Sequence, residues 1–286
     1  MDSSSAADTA GDAFFLPLGG DRFAATDLTR GPWSADSQHA GPPAALLGRA
    51  VERHAEHRAE RPAGGGADNQ AGAEYRVSRI TFEILRPVPL GELSVSTRSA
   101  ELGRSVERVE AALADPQGRV VMRASAMRVR VAPGSVPEVG DKVLAGPGPQ
   151  DCDAAPFFPV PWSTGYHTAM EVRFAVGAFL EPGPAMAWFR MRVPLVAGEE
   201  TSGLCRVLAA ADSGNGISSE LDIRRYLFVN ADLNVHLRRA PVGEWVGLDS
   251  RTTVDAGGIG LADTLLLDEQ STIGRASQSL FVAERR

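Results

Sequence analysis

Apolar and polar residues alternate over Ile80, Phe82 and Ile84, and again over Leu233, Val235 and Leu237. A period of two marks a strand with one buried face. Each run leads into a turn rich in proline and glycine, Arg86-Pro87-Val88-Pro89-Leu90-Gly91 in the first case and Arg239-Ala240-Pro241-Val242-Gly243 in the second. These stretches read as copies of one strand–turn–strand unit. Further on, Arg123-Ala124-Ser125-Ala126 recurs as Arg275-Ala276-Ser277-Gln278 at a spacing of 152 residues, the spacing that also separates Gly91 from Gly243. Before the turn the matching register is 153 residues, since a slip of one would send every apolar side chain to the opposite face. The turn absorbs the difference, and the chain divides into two duplicated halves.

The same patterns place the other elements. A short strand is expected over Phe14 to Leu18, and three strands over Tyr75 to Val131 with turns at Arg86 to Gly91, Gly103 to Ser105 and Asp115 to Gly118. Pro42 and Pro43 suit a first helical turn, and Ala44, Ala45, Leu46, Leu47, Ala50 and Val51 follow at helical spacing, fraying over Glu52 to Glu60. Arg61 to Gly72 reads as a loop, and Ala132 to Gly165 as a linker that places a boundary between the halves. The expected division is a tail over 1–12, a first unit over 13–131, a linker over 132–165 and a second unit over 166–286. In the second half, strands over Met170 to Val176 and Met186 to Pro194 precede a helix. Glu199 to Ser202 supply its start, and Leu204, Val207, Leu208 and Ala211 form its apolar face.

Composition narrows the function. The chain has 286 residues and a formal charge of −7, and all but one of its 29 basic residues are arginine, Lys142 being the exception. No basic stripe offers a surface to nucleic acid. Cys152 and Cys205 lie far apart, as a reducing compartment allows, with the cytoplasm as the default. Met1 to Asp12 has neither the basic start nor the apolar run of a signal peptide, and no apolar run is long enough to span a membrane. His54 and His57 lack a third ligand, so no metal is expected. Gly257-Gly258-Ile259-Gly260 reads as a turn between strands rather than a nucleotide loop.

The candidate chemistry gathers in the second half. Asp212 lies four residues beyond Leu208, on or beside an apolar helix face, where an acid is rarely found without a partner. Gly214 and Gly216 follow and allow close approach of a ligand, while His39-Ala40-Gly41 is read as the corresponding polar place of the first half. Asn230, Asp232, Asn234 and His236 share the strand face opposite Leu233, and Asn230, at its end, is the one expected beside the helix. Gln278 puts an amide where the first copy has Ala126, so only the second half carries the full set.

With those residues assembled, the sequence resembles the type II acyl-CoA thioesterases, the double-hotdog family, from about Phe14 to Arg286. The resemblance rests on His39-Ala40-Gly41 and Phe82 to Pro87 in the first half. In the second it rests on Ala211 to Gly216, Asn230-Ala231-Asp232 leading to Arg239, and Gln278-Ser279-Leu280. It implies an α+β fold, with each half a long helix wrapped by a curved antiparallel sheet. It implies Asp212, Asn230 and Gln278 as the catalytic trio that holds a water, with asparagine standing where the family has threonine or serine. It implies His39, Gly41 and Gly214 at the substrate, an acyl-CoA or acyl-carrier-protein thioester, with no cofactor and with homodimers or higher oligomers. A backbone N–H near Gly41 is expected to hold the oxyanion. Two other readings stay open: hydration or dehydration of an enoyl thioester by Asp212 with His39 or His236, and non-catalytic acyl-thioester binding. A serine-nucleophile route is disfavoured because no G-x-S-x-G elbow occurs.

Overall fold

The computed structural model describes residues 13–59, 74–140 and 146–285. The expected tail, the loop at 61–72 and Lys142 lie outside the described residues. Thirteen strands join one antiparallel sheet: β1 (Phe15–Gly19), β2 (Arg22–Ala25), β3 (Tyr75–Ile84), β4 (Gly91–Leu102), β5 (Val106–Ala114), β6 (Val120–Arg130), β7 (Met170–Val176), β8 (Ala185–Met191), β9 (Tyr226–Asn230), β10 (Asp232–Leu237), β11 (Val246–Val254), β12 (Ile259–Leu267) and β13 (Thr272–Glu284). Their order is β1-β2-β4-β5-β6-β3-β10-β13-β12-β11-β8-β7, with β9 also on β13. Four strands, not three, lie between Tyr75 and Val131, because each of the three expected turns joins two of them. The turn at Gly257-Gly258 joins β11 to β12 as expected, with Gly258 at φ +87°.

The duplicated halves meet at β3 and β10. Thr81 pairs with Asn234, Ile80 with Val235 and Phe82 with Leu233, so residues 153 apart face each other at the centre and the pairing reads the same from either half. Ile80, Phe82, Leu233 and Val235 are all buried, which is why the register cannot slip. Gly91 and Gly243 both hold positive φ, +96° and +80°, a conformation only glycine adopts without strain. Asp115 and Asp268, also 153 apart, close matching hairpins: each side chain accepts backbone N–H groups of its own turn, Gln117 and Arg119 in one, Gln270 and Ser271 in the other.

Among the described residues four α-helices complete the fold: α1 (Gly41–Ala59), α2 (Tyr166–Ala169), α3 (Gly203–Ala211) and α4 (Gly214–Ile217). Instead of fraying at Glu52, α1 runs on to Ala59. It packs on β3 to β6 and against α3, which in turn rests on β8, β11 and β12. The helices run antiparallel. Gly41 abuts the Ala209 carbonyl so closely that a Cβ there would collide with it, the Cys205 thiol donates to the Ala45 carbonyl at 3.4 Å, and Ser202 Oγ donates to Glu52 at 2.7 Å. Apolar residues of both halves and both long helices form one continuous core.

Candidate active site

Ser202 caps α3 by accepting the Cys205 N–H at 3.2 Å, and about two and a half turns carrying buried Leu204, Val207, Leu208 and Ala211 lead the chain to Asp212 at the helix C-terminus. Asp212 is only 7% exposed. Its Oδ1 accepts from Asn230 Nδ2 at 2.9 Å and from Gln278 Nε2 at 3.2 Å, and Gln278 Nε2 also lies 3.1 Å from the Asp212 carbonyl. The Asn215 N–H donates to Gln278 Oε1 at 3.1 Å. An acid, two amides and the first turn of α4 thus form one hydrogen-bonded cradle, with Gln278 itself 1% exposed.

Asn230 arrives by a route that alternation alone does not predict. It was expected on the face of Asp232, but Leu280 pairs with Asn230 while Ser277 pairs with Asn234. Three steps along β13 therefore match four along β9 and β10. The extra residue is a bulge at Ala231, and a bulge re-aims the side chains on its two sides. Asn230 turns inward to Asp212, whereas Asp232 turns outward and accepts the Ser279 N–H at 2.6 Å.

The first half keeps this frame and loses its chemistry. β3 slips by one residue between Val77 and Arg79, 153 residues before the slip at Ala231, so Val77 stands where Asn230 does. Ser125 pairs with Thr81 as Ser277 pairs with Asn234, so Ala126 stands for Gln278. His54 lies 2.9 Å from both Thr97 and Ser99 on β4, while Asn215 accepts from Thr252 at 3.4 Å on the equivalent β11. Three residues before these two lie Val51 and Asp212. Val51, Val77 and Ala126 are all buried in the core, and no apolar trio can activate a water.

His39 and Asp212 are not repeat equivalents, since His39 precedes the N-terminus of its helix and Asp212 closes the C-terminus of the other. The antiparallel crossing nevertheless brings His39 Nδ1 to 3.2 Å from Asp212 Oδ2. The imidazole stacks flat on Tyr166 at 3.8 Å and 1°, and Tyr166 Oη is anchored by donating to the Ala209 carbonyl at 2.9 Å and by Ser213 Oγ at 3.0 Å. The Gly41 N–H donates to His39 Nδ1 at 3.1 Å. It is therefore engaged and not a free oxyanion donor. Gly214 also differs from expectation: a Cβ there would meet Thr264 Oγ1 at 2.6 Å and Gln278 Oε1 at 3.1 Å. Close packing on buried side chains, not room for a ligand, requires that glycine.

Tyr166 and the buried hydroxyls of Ser218, Ser250, Thr252 and Thr264 were not legible as site residues. Ser218 and Thr252 share a hydrogen bond at 2.9 Å, as do Ser250 and Thr264. Ser250 and Thr252 keep the period of two, so only their hydroxyls at buried positions could have marked them. Among the described residues no group of three or more His, Cys, Asp or Glu side chains is placed to hold a metal, and no helix is long and apolar enough to cross a membrane.

Burial pushes the His39 pKa below 6.5, and the nearby Asp212 carboxylate opposes that only in part. His39 is thus neutral in the folded protein at neutral pH. The unfolded chain takes up this proton first as pH falls, so the histidine withdraws stability below about pH 6.5 and none above it. Thermal unfolding of the wild type and His39→Gln should show the wild type losing more Tm between pH 7.5 and 5.5. Equal losses would contradict the burial of a neutral ring.

Two family models match the chain in order: the acyl-CoA thioesterase N-terminal domain over residues 29–129 and the acyl-CoA thioesterase C-terminal domain over residues 149–282. No curated protein sequence matches it. Among solved structures, a protein with a hot dog fold from Alicyclobacillus acidocaldarius aligns over 96% of this chain and 98% of its own at 13% identity and a TM-score of 0.69. The tesB protein of Mycobacterium avium subsp. paratuberculosis aligns over 96% and 98% at 15% identity and 0.63. Acyl-CoA thioesterase II TesB2 of Mycobacterium marinum aligns over 95% and 96% at 14% identity and 0.61. At such identities these likenesses establish the hotdog fold alone. With both of its domain models matched in sequence order, the chain belongs to the acyl-CoA thioesterase family and is by that membership a thioester hydrolase.

Proposed function

We propose that the chain hydrolyses acyl-CoA or carrier-protein thioesters at one site per chain, through a water activated by Asp212. The observation that carries this is the Asn230–Asp212–Gln278 cradle, set beside a neutral histidine. Both amides donate to Oδ1, so Oδ2, with His39 Nδ1 3.2 Å away, is the oxygen left to take a proton. The Asn230 carbonyl oxygen remains available as an acceptor for the water's second hydrogen. An amide can donate to the carboxylate and accept from water at once, the same pair of duties that a hydroxyl performs, so Asn230 is chemically competent in the place of threonine or serine.

The attacking water forms the new C–O bond as its proton passes to Asp212 Oδ2. In the tautomer whose Nδ1 accepts from Gly41, the ring proton of His39 sits on Nε2, where a neutral imidazole donates to the developing oxyanion without surrendering its proton. Collapse breaks the C–S bond, and the departing thiolate takes the proton from Asp212. This reading sets two tandem hotdogs, 13–131 and 166–286, joined by 132–165, in the cytoplasm and as a homo-oligomer.

The contact between His39 and Asp212 also favours a second reading, hydration of an enoyl thioester, since an acid beside a histidine suits that chemistry. A panel of saturated acyl-CoAs from acetyl to palmitoyl, with a thiol reagent reporting free CoA, together with an enoyl-CoA followed by its own absorbance, separates the two. Thiol release from at least one chain length is expected. No release from any, together with loss of enoyl-CoA absorbance, would replace hydrolysis by hydration.

A further inference from the structure

The outer surface of the second half carries an apolar patch that the repeat does not explain. Of the thirteen exposed large apolar side chains of the described residues, five lie on three adjacent strands: Leu227 and Val229 on β9, Phe281 on β13, and Ile259 and Leu261 on β12. Phe281 pairs directly with Val229 on one side and Ile259 on the other. Ile259 is 72% exposed and Phe281 58%. The first half supplies an internal control. Its equivalents, by the 153- and 152-residue registers, are Glu74, Arg76, Val106, Arg108 and Val129, with Glu74 bonded to Arg76 at 2.6 Å and Arg108 paired with Glu101. The same sheet surface is charged at three of five positions in one half and apolar at all five in the other. Folding does not require the apolar version, so it answers to a contact.

We infer that this patch is a two-fold interface with a second copy of the chain, Phe281 at its centre. Three strands about 4.8 Å apart, over five residues rising about 3.4 Å each, give an apolar footprint on the order of 240 Å². That suits the centre of a standard interface of about 800 Å² per partner, with a polar rim making up the rest. Two charged pairs flank the patch, Arg225 with Glu284 at 2.7 Å and Arg275 with Asp263 at 3.6 Å, and the five patch side chains themselves carry no charge. Stacking the patch on the matching face of the first half would set it against Glu74, Arg76 and Arg108. Only patch on patch avoids this, which makes the contact isologous and closed. On the reverse face, the same β9 and β13 carry Asn230 and Gln278, so the contact braces the strands of the active site. The surface deepens the homo-oligomer of the proposed function but does not depend on thioester hydrolysis.

The test is the solution mass of the full chain by analytical ultracentrifugation. Twice the 30.2 kDa of one chain is expected. In a triple variant, Leu227→Glu, Val229→Arg and Leu261→Arg transplant the residues that the first half tolerates, and dissociation should strengthen at least about a hundredfold, with unchanged circular dichroism. A second variant, Phe281→Cys, should form a disulfide-linked dimer under mild oxidation, because a two-fold axis at Phe281 sets it against its mate and both native cysteines are buried. A monomeric wild type, a dimer that survives the triple substitution, or failure of Phe281→Cys to cross-link would each overturn the assignment. So would a monomer that floats with neutral phosphatidylcholine vesicles.

Discussion

Replacing Asp212 by Asn should lower kcat for acyl-CoA hydrolysis by about 10²–10⁴-fold, the range typical of a lost general base. The side chains are nearly isosteric, and an asparagine carbonyl can still accept from Asn230 and Gln278, so the cradle keeps its shape and the fold its stability. KM should change little, because Asp212 acts on the water and not on the carrier. Steady-state kinetics with the best substrate of the acyl-CoA panel, beside a thermal unfolding curve for each protein, gives the answer. A variant within tenfold of wild type would remove Asp212 as the base, whatever becomes of the family assignment.

The second large effect lies outside the active site. Asp268, fully buried at the β12–β13 turn, receives Arg239 through two bonds of 2.5 and 2.7 Å, together with the N–H groups of Val242, Gln270 and Ser271. Burial pushes its carboxyl upward, but Arg239 and the backbone donors outweigh this and hold it below 3.8. Arg239→Met keeps the aliphatic stem and leaves an uncompensated carboxylate, at a cost of about 3–5 kcal/mol. A depressed carboxylate contributes stability that is present above its unfolded pKa and lost as pH falls through the folded one. The deficit should therefore be full at neutral pH and shrink below pH 3.8. Urea unfolding at pH 7 and pH 3 measures both, and a loss under about 1 kcal/mol at pH 7 would reduce the pair to a surface contact.

Much of this was legible in the chain because repetition and periodicity are local. Ile80 and Phe82 fixed a buried strand face by alternation, and Leu233 and Val235 repeated it. The register of 153 then follows from side-chain period alone, and β3 pairs with β10 about that register. Asp212 stood out because an acid beside Leu208 and Ala211 needs a partner, and Gln278 stood out against Ala126. What the chain did not disclose concerns contacts between residues far apart. A bulge at Ala231 depends on how β9 and β10 share β13, and nothing in Asn230-Ala231-Asp232 announces it.

The sequence by itself determined the duplication, the strand faces, and the acid and two amides that only one copy carries, since each follows from residue type and short-range spacing. Tertiary structure alone decided that His39 meets Asp212, that Tyr166 holds the imidazole flat, and that Gly41 and Gly214 serve close packing. The first two, and the packing of Gly41, depend on two helices crossing antiparallel against a shared sheet, while Gly214 depends on the seating of α4 against β12 and β13. The angle and separation of such a crossing are set by side chains interlocking across the whole core, which no window of sequence contains.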